Sequence, residues 1–159
     1  MFLHGLRGDC LQKTAAAFRN VPPGGRKITR VPRVGHIAGA GGVVEQTVDF
    51  ARRMGFKKIG IATCAGLLRE SRALARVLRA NGFEVYSVAC KAGMADKSLV
   101  GIDEDCKAVG ANMCNPILQA KHLNRVGTDL NILVGLCVGH DSMFYKYAEG
   151  LTTTLVAKD

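Results

Sequence analysis

An apolar run that breaks only on glycine and then passes into histidine and aspartate, NILVGLCVGHDSMF at residues 131–144, constrains this chain more than any other stretch. Ile132, Leu133, Val134, Leu136 and Val138 form a near-continuous series, as in a strand covered on both faces of a parallel sheet. The strand is expected over residues 130–137, stopping at Cys137. Gly139 has no Cβ to obstruct a sharp turn. Asp141 or Ser142 then caps a helix, SMFYKYAEG, that stops at Gly150. Cys137, His140 and Asp141 therefore gather where a strand ends, and open α/β sheets bind ligands at that edge.

The same unit recurs upstream. VVEQTVDFARRMG reads as a helix with Val44, Val48, Phe50 and Ala51 on its apolar side, stopped by Gly55. FKKIGIATC is a strand over residues 57–63 ending at Cys64, and Gly66 makes the turn. LLRESRALARVLRANG is a helix with Leu67, Leu68, Leu74, Ala75 and Leu78 facing inward. FEVYSVAC is a strand over residues 83–89 ending at Cys90. Residues 91–112 form a loop-rich excursion, and long loops at a ligand edge often serve as lids. Cys114, Asn115 and Pro116 open the next helix, proline being favoured at the first helical position. LTTTLVAKD supplies a fourth strand near residues 152–157. Strands alternating with helices imply right-handed βαβ crossovers. The expected fold is a three-layer, Rossmann-like α/β domain with a mostly parallel sheet, over residues 43–159.

Residues 1–42 form a separate, partly irregular N-terminal segment. TAAAFRN suits a short helix, while the prolines and glycines of VPPGGRK break any regular element. GHIAGAGG at residues 35–42 lacks the spacing of a phosphate loop and follows Pro32, so it reads as a flexible connector.

Cys64, Cys90 and Cys137 each end a strand, and Cys114 opens a helix, so four thiols meet on one rim. Their separations of 26, 24 and 23 residues are each about one βα unit. His140 adds an imidazole. Thiolates and imidazole are the ligands of zinc and of iron–sulfur clusters, and helix N-termini at this edge favour thiolates. A metal site on Cys64, Cys90, Cys114, Cys137 and His140 is the expectation, its metal left open between zinc and iron–sulfur. The competing reading of each cysteine is a small buried hydrophobe. Two other classes use the same rim. In a metal-free thiol enzyme, Cys137 is the nucleophile, His140 the base and Asp141 its orienter, although residues of one turn seldom point at each other and triads are usually assembled from separate loops. In a binding module, glycine turns and helix N-termini hold a small anion or nucleotide. Cys106, in the polar excursion, and the isolated Cys10 are left outside the site. His122 reads as a surface or packing residue, and His4 and His36 fall in segments with no assignable element.

The net charge of +9 raises nucleic acid as a partner, but the positive charge is scattered. Arg69, Arg72, Arg76 and Arg79 share a helix face that reads as solvated. With 6% aromatics and no Trp there is no stacking platform, so no specific nucleic-acid binding is expected. The expected partners are a metal and a small-molecule or redox partner. A disulfide framework does not suit a chain able to bury a good core. No apolar run approaches the ~20 residues of a membrane span, and MFLHGLRGDC lacks a secretory signal's apolar core. We therefore expect a cytoplasmic protein without membrane contact.

RRMGFKKIGIATCAGL, GFEVYSVACKAG, MCNPILQAKHLNRVGTDLN and VGLCVGHDSMF, taken in order, resemble the domain-of-unknown-function family 1847 over roughly residues 46–159. These are cysteine-rich bacterial and archaeal proteins described as metal-binding. The resemblance implies that the family's recurring cysteines fall on Cys64, Cys90, Cys114 and Cys137, with His140 and Asp141 beside the last. It names no reaction. The chain departs from the family in having only Cys10 where relatives carry an N-terminal cysteine cluster, and in ending at Asp159 where they continue. It thus reads as a fragment or a divergent member.

Overall fold

The computed structural model describes residues 42–158 apart from residue 109. The expectations for TAAAFRN, VPPGGRK and GHIAGAGG, and for Cys10, His4 and His36, lie outside the described residues.

Among the described residues the order is α1 (Val43–Arg53), β1 (Lys58–Thr63), α2 (Leu68–Ala80), β2 (Glu84–Ala89), α3 (Pro116–Val126), β3 (Leu130–Val134), α4 (His140–Tyr147) and β4 (Leu151–Val156), with short 3₁₀ turns before α2 and in the excursion. The four strands form one sheet in the order β2-β1-β3-β4, and every neighbouring pair is parallel. The expected three-layer parallel α/β fold is what the chain adopts.

Side-chain alternation along the strands sorts the core into two layers. Ile59 and Ile61 of β1 and Leu130, Ile132 and Val134 of β3 pack with Val48 and Ala51 of α1 and Leu74, Ala75 and Leu78 of α2. Ala62, Val88 and Leu133 face the other way, onto Ile117, Ala120 and Leu123 of α3 and Phe144 and Tyr147 of α4. Handedness explains which helix lies where. The chain moves from β1 to β2 in one direction, then crosses back to β3 and on to β4 in the other. Right-handed crossovers therefore put α2 on one face and α3 and α4 on the opposite face. The reversal leaves a topological switch point between β1 and β3.

Local chemistry fixes the helix ends. Asn115 Oδ1 accepts from Leu118 N at 2.9 Å and Pro116 occupies the first turn of α3. Gly127, in the left-handed region, ends that helix. In α2 the inward face is Ser71, Leu74, Ala75 and Leu78, whereas Leu68, expected inside, is 37% exposed. It stands in the helix's first turn, which the rest of the helix does not cover.

One strand boundary differs from expectation by more than a single residue. β3 ends at Val134, three residues before Cys137. The β3–β4 register shifts at Leu133/Val134, and Gly135 takes φ +64° beneath the Leu67 side chain, where a Cβ would collide. Gly135 N still donates to Val156 O at 2.8 Å. The apolar character of Leu136 comes from the core it enters, not from strand pairing. No helix among the described residues is long and apolar enough to cross a membrane.

Candidate metal centre at the carboxyl rim

Cys64 directly follows β1 and Cys90 directly follows β2. Backbone bonds continue the sheet through both: Cys64 N donates to Val134 O at 3.0 Å and Cys90 N to Thr63 O at 2.8 Å. Asn115 N donates to Cys90 O at 2.7 Å, which draws the start of α3, with Cys114, against the end of β2. From inside, the fully buried Gln119 donates through Nε2 to Thr63 O at 3.2 Å and Val88 O at 2.8 Å. It ties the ends of β1 and β2 together just below their cysteines, and its own Oε1 is left without a partner.

The sulfurs are arranged as a tight pair and a bridged pair. Cys114 Sγ lies 3.6 Å from Cys90 Sγ. Ala65 N–H, in the turn before α2, points at Cys90 Sγ at 3.3 Å. The Cys114 thiol, first, then that amide, the Cys64 thiol and Lys91 together outweigh burial and bring Cys90 down to about 5. Cys114 is pushed up, because its proton is held by Cys90 and it is buried beside a negative sulfur. The two shifts run in opposite directions, which favours one proton held between the two sulfurs. On the other side of the rim, Lys158 Nζ lies 3.4 Å from Cys137 Sγ and 3.9 Å from Cys64 Sγ. A hydrogen bond from His140, then the Lys158 ammonium, lowers the Cys137 thiol, and that contact in turn raises Lys158. Cys64 and Cys137 flank the switch point between β1 and β3.

All five expected residues therefore gather on one edge. Still, no three Cys, His, Asp or Glu side chains among the described residues are drawn together closely enough to enclose a metal ion. The donor types, though not their present spacing, suit a soft or borderline metal. Four sulfurs and an imidazole are its preferred donors. The 3.6 Å pair matches two thiolates on one ion, roughly 3.8 Å apart for bonds of ~2.3 Å. A cation, the Lys158 ammonium, already sits between the other two sulfurs.

Sequence reasoning missed Lys158. Asp141 Oδ1 accepts from Gly139 N at 2.9 Å and Ser142 N at 2.7 Å, in line with the argument that adjacent residues of one turn seldom form a catalytic chain. That carboxylate is spent stabilising its own turn, so the orienter of the Cys137–His140–Asp141 chain is not in place. Cys106 stands apart, buried with Ile102, and His122 is exposed on α3.

A titration checks the thiolate–thiol pair. In metal-free protein, ultraviolet thiolate absorbance should persist at neutral pH and fall as the pH drops through about 5, where Cys90 takes up its proton. Cys114→Ala removes the largest cause of the lowering, so the midpoint should climb toward the ordinary thiol value. A midpoint that this variant leaves in place rules out the shared proton.

A doubly wound parallel α/β domain with a thiol-lined carboxyl rim is the class of protein that fold and site define. The chain belongs to the family described as "Protein of unknown function (DUF1847)", whose model matches residues 35–155. An uncharacterized protein of Methanocaldococcus jannaschii is 49% identical over 116 residues, which is 73% of this chain and 60% of that protein. The chain thus spans about three-fifths of the length of this curated relative. Two crystal structures of Dph2 from Pyrococcus horikoshii, one with a 4Fe-4S cluster, are similar at a TM-score of 0.38 and 22% and 21% identity. Each covers 58% of this chain and 21% of the Dph2 chain, a likeness too partial to carry any shared chemistry.

Proposed function

We propose that the protein binds a metal centre through Cys64, Cys90, Cys114 and Cys137, with His140 at its margin. The observation that carries this reading is the four sulfurs on one rim at the switch point, two of them, Cys90 and Cys114, 3.6 Å apart. An iron–sulfur cluster is the first form of the reading and zinc the second. One zinc needs all four sulfurs within roughly 4 Å of one another, whereas a cluster allows a wider spread. When bound, a cluster supplies electron transfer, and zinc supplies structure or Lewis acidity. The chain's own part is to hold Cys90 ionised, to place His140 against Cys137, and to fix the β1 and β2 ends through Gln119.

Elemental analysis and a visible spectrum of anaerobically purified protein test the reading. A brown protein with iron and sulfide supports the cluster, and a colourless protein with one equivalent of zinc supports the second form. Protein free of both metals, which also takes up neither on reconstitution, overturns the proposal.

One observation favours a second reading. His140, three residues on in the same turn, lowers the Cys137 thiol, which is what a metal-free thiol nucleophile requires even without Asp141 as orienter.

A further inference from the structure

The row of arginines on α2 does more than face solvent. Arg72, Arg76 and Arg79, at positions i, i+4 and i+7, line a cleft of about 580 Å³ between α2 and the edge strand β2. Ser71, 2% exposed, contributes to its wall. Thr63 and Ala89 also line it, and these residues immediately precede Cys64 and Cys90. Among the described residues no Asp or Glu lines the cleft. Among the described residues neither Arg72 nor Arg76 has an acidic partner, the ion pairs lying elsewhere. Arg79 is held in place by its Nη2, which donates to Val85 O at 2.9 Å.

Three guanidinium groups on one wall repel one another and are stabilised by any anion placed between them. Guanidinium presents paired N–H donors that match phosphate oxygens. A volume of about 580 Å³ is of the size of small-molecule sites, roughly 300–1,000 Å³, and no aromatic residue lines it to stack a base. We propose that this cleft binds a small, multiply charged anion, a phosphorylated metabolite by class, with its charge on Arg72, Arg76 and Arg79. The site stands independently of the metal centre. If the rim does hold a metal, the cleft delivers its ligand beside the β1 and β2 ends that carry Cys64 and Cys90.

The test is calorimetric titration of the full chain with inorganic pyrophosphate at ~150 mM salt, where diffuse attraction between exposed charges is largely screened. The parent should bind saturably at one site. Arg72→Ala/Arg76→Ala should bind at least about tenfold more weakly, since each hydrogen bond to a charged group is worth about that factor. Both positions are exposed and helical, so alanine preserves the fold. Arg125→Ala, exposed on α3 in the opposite layer, should bind like the parent. Metal content should be the same in all three. The proposal is overturned if the parent shows no saturable binding, if the double variant binds like the parent, or if Arg125→Ala weakens binding equally. Displacement of pyrophosphate by duplex DNA at this salt overturns it in favour of a nucleic-acid groove. Parent protein that binds pyrophosphate yet holds no metal sinks the metal reading and leaves this one standing.

Discussion

Cys137→Ser, purified anaerobically, should retain less than about a tenth of the parent's affinity for its metal. Cys137 is the ligand on the β3 side of the switch point. Its sulfur is already favoured as thiolate by His140 and Lys158, and serine keeps the volume but ionises far less readily. Losing an outer-shell partner of a metal ligand typically costs about 10–100-fold in affinity, and losing the ligand itself costs at least as much. His140→Ala removes the partner of Cys137 and should cost about tenfold on the same scale. His122→Ala, exposed on α3, should change nothing. The readout is metal per protein after competition with a chelator. If Cys137→Ser competes as well as the parent, the rim cysteines are core residues. The thiol-nucleophile reading then takes over and needs an activity that His140→Ala abolishes.

The largest expected loss of stability is at Phe144. It is fully buried in the layer under α3 and α4 and is among the largest such side chains. Phe144→Ala removes an aromatic ring from a packed core, which costs about 3–5 kcal/mol through lost burial and the cavity left behind. The urea midpoint should fall accordingly with little change in slope. The next residue provides the contrast. Tyr145 is 42% exposed and its hydroxyl meets Thr154 Oγ1 at 2.8 Å on the surface, so Tyr145→Ala should cost about 1 kcal/mol or less. Because α4 begins at His140, loosening Phe144 also loosens the His140 contact with Cys137, and the Cys137 thiol should titrate at higher pH. A Phe144→Ala loss as small as that of Tyr145→Ala would mean that α4 is not docked through this ring.

The layers and strands were legible because each strand is a buried apolar run and each helix carries a stop or a cap. IGIAT and NILV could not face water on either side, and Pro116 and Gly127 bracket α3 where the sequence places them. The convergence of Cys64, Cys90, Cys114 and Cys137 followed from the βα period alone. The end of β3 was misread because hydropathy does not separate a paired strand from a core-filling turn. Gly135 inside the run was the available signal, since glycine within a strand pattern often marks an irregularity. Asp141 serves its own turn, as the crowding of three site residues into one turn already argued. Lys158 had no signature at all. A single lysine after the last strand reaches Cys137 only because β4 lies beside β3, and strand order is not written in local pattern. The Arg72–Arg76–Arg79 row was visible as a helix face, but its cleft depends on β2 being an edge strand.

The strand order also governs how the chain must assemble. β1 sits in the middle of the sheet, yet one of its two neighbours, β3, pairs with it across 71 residues of chain, as in the Thr63–Val134 contact. During synthesis at about 5–20 residues per second, β1 and β2 emerge with the apolar flank of β1 open for several seconds before β3 arrives to close it. Pairings of such long range make folding slow, on the order of milliseconds to seconds. The nascent β1–β2 unit thus carries an open apolar flank, and charges such as Lys57 beside a hydrophobic strand are of the kind that oppose its aggregation.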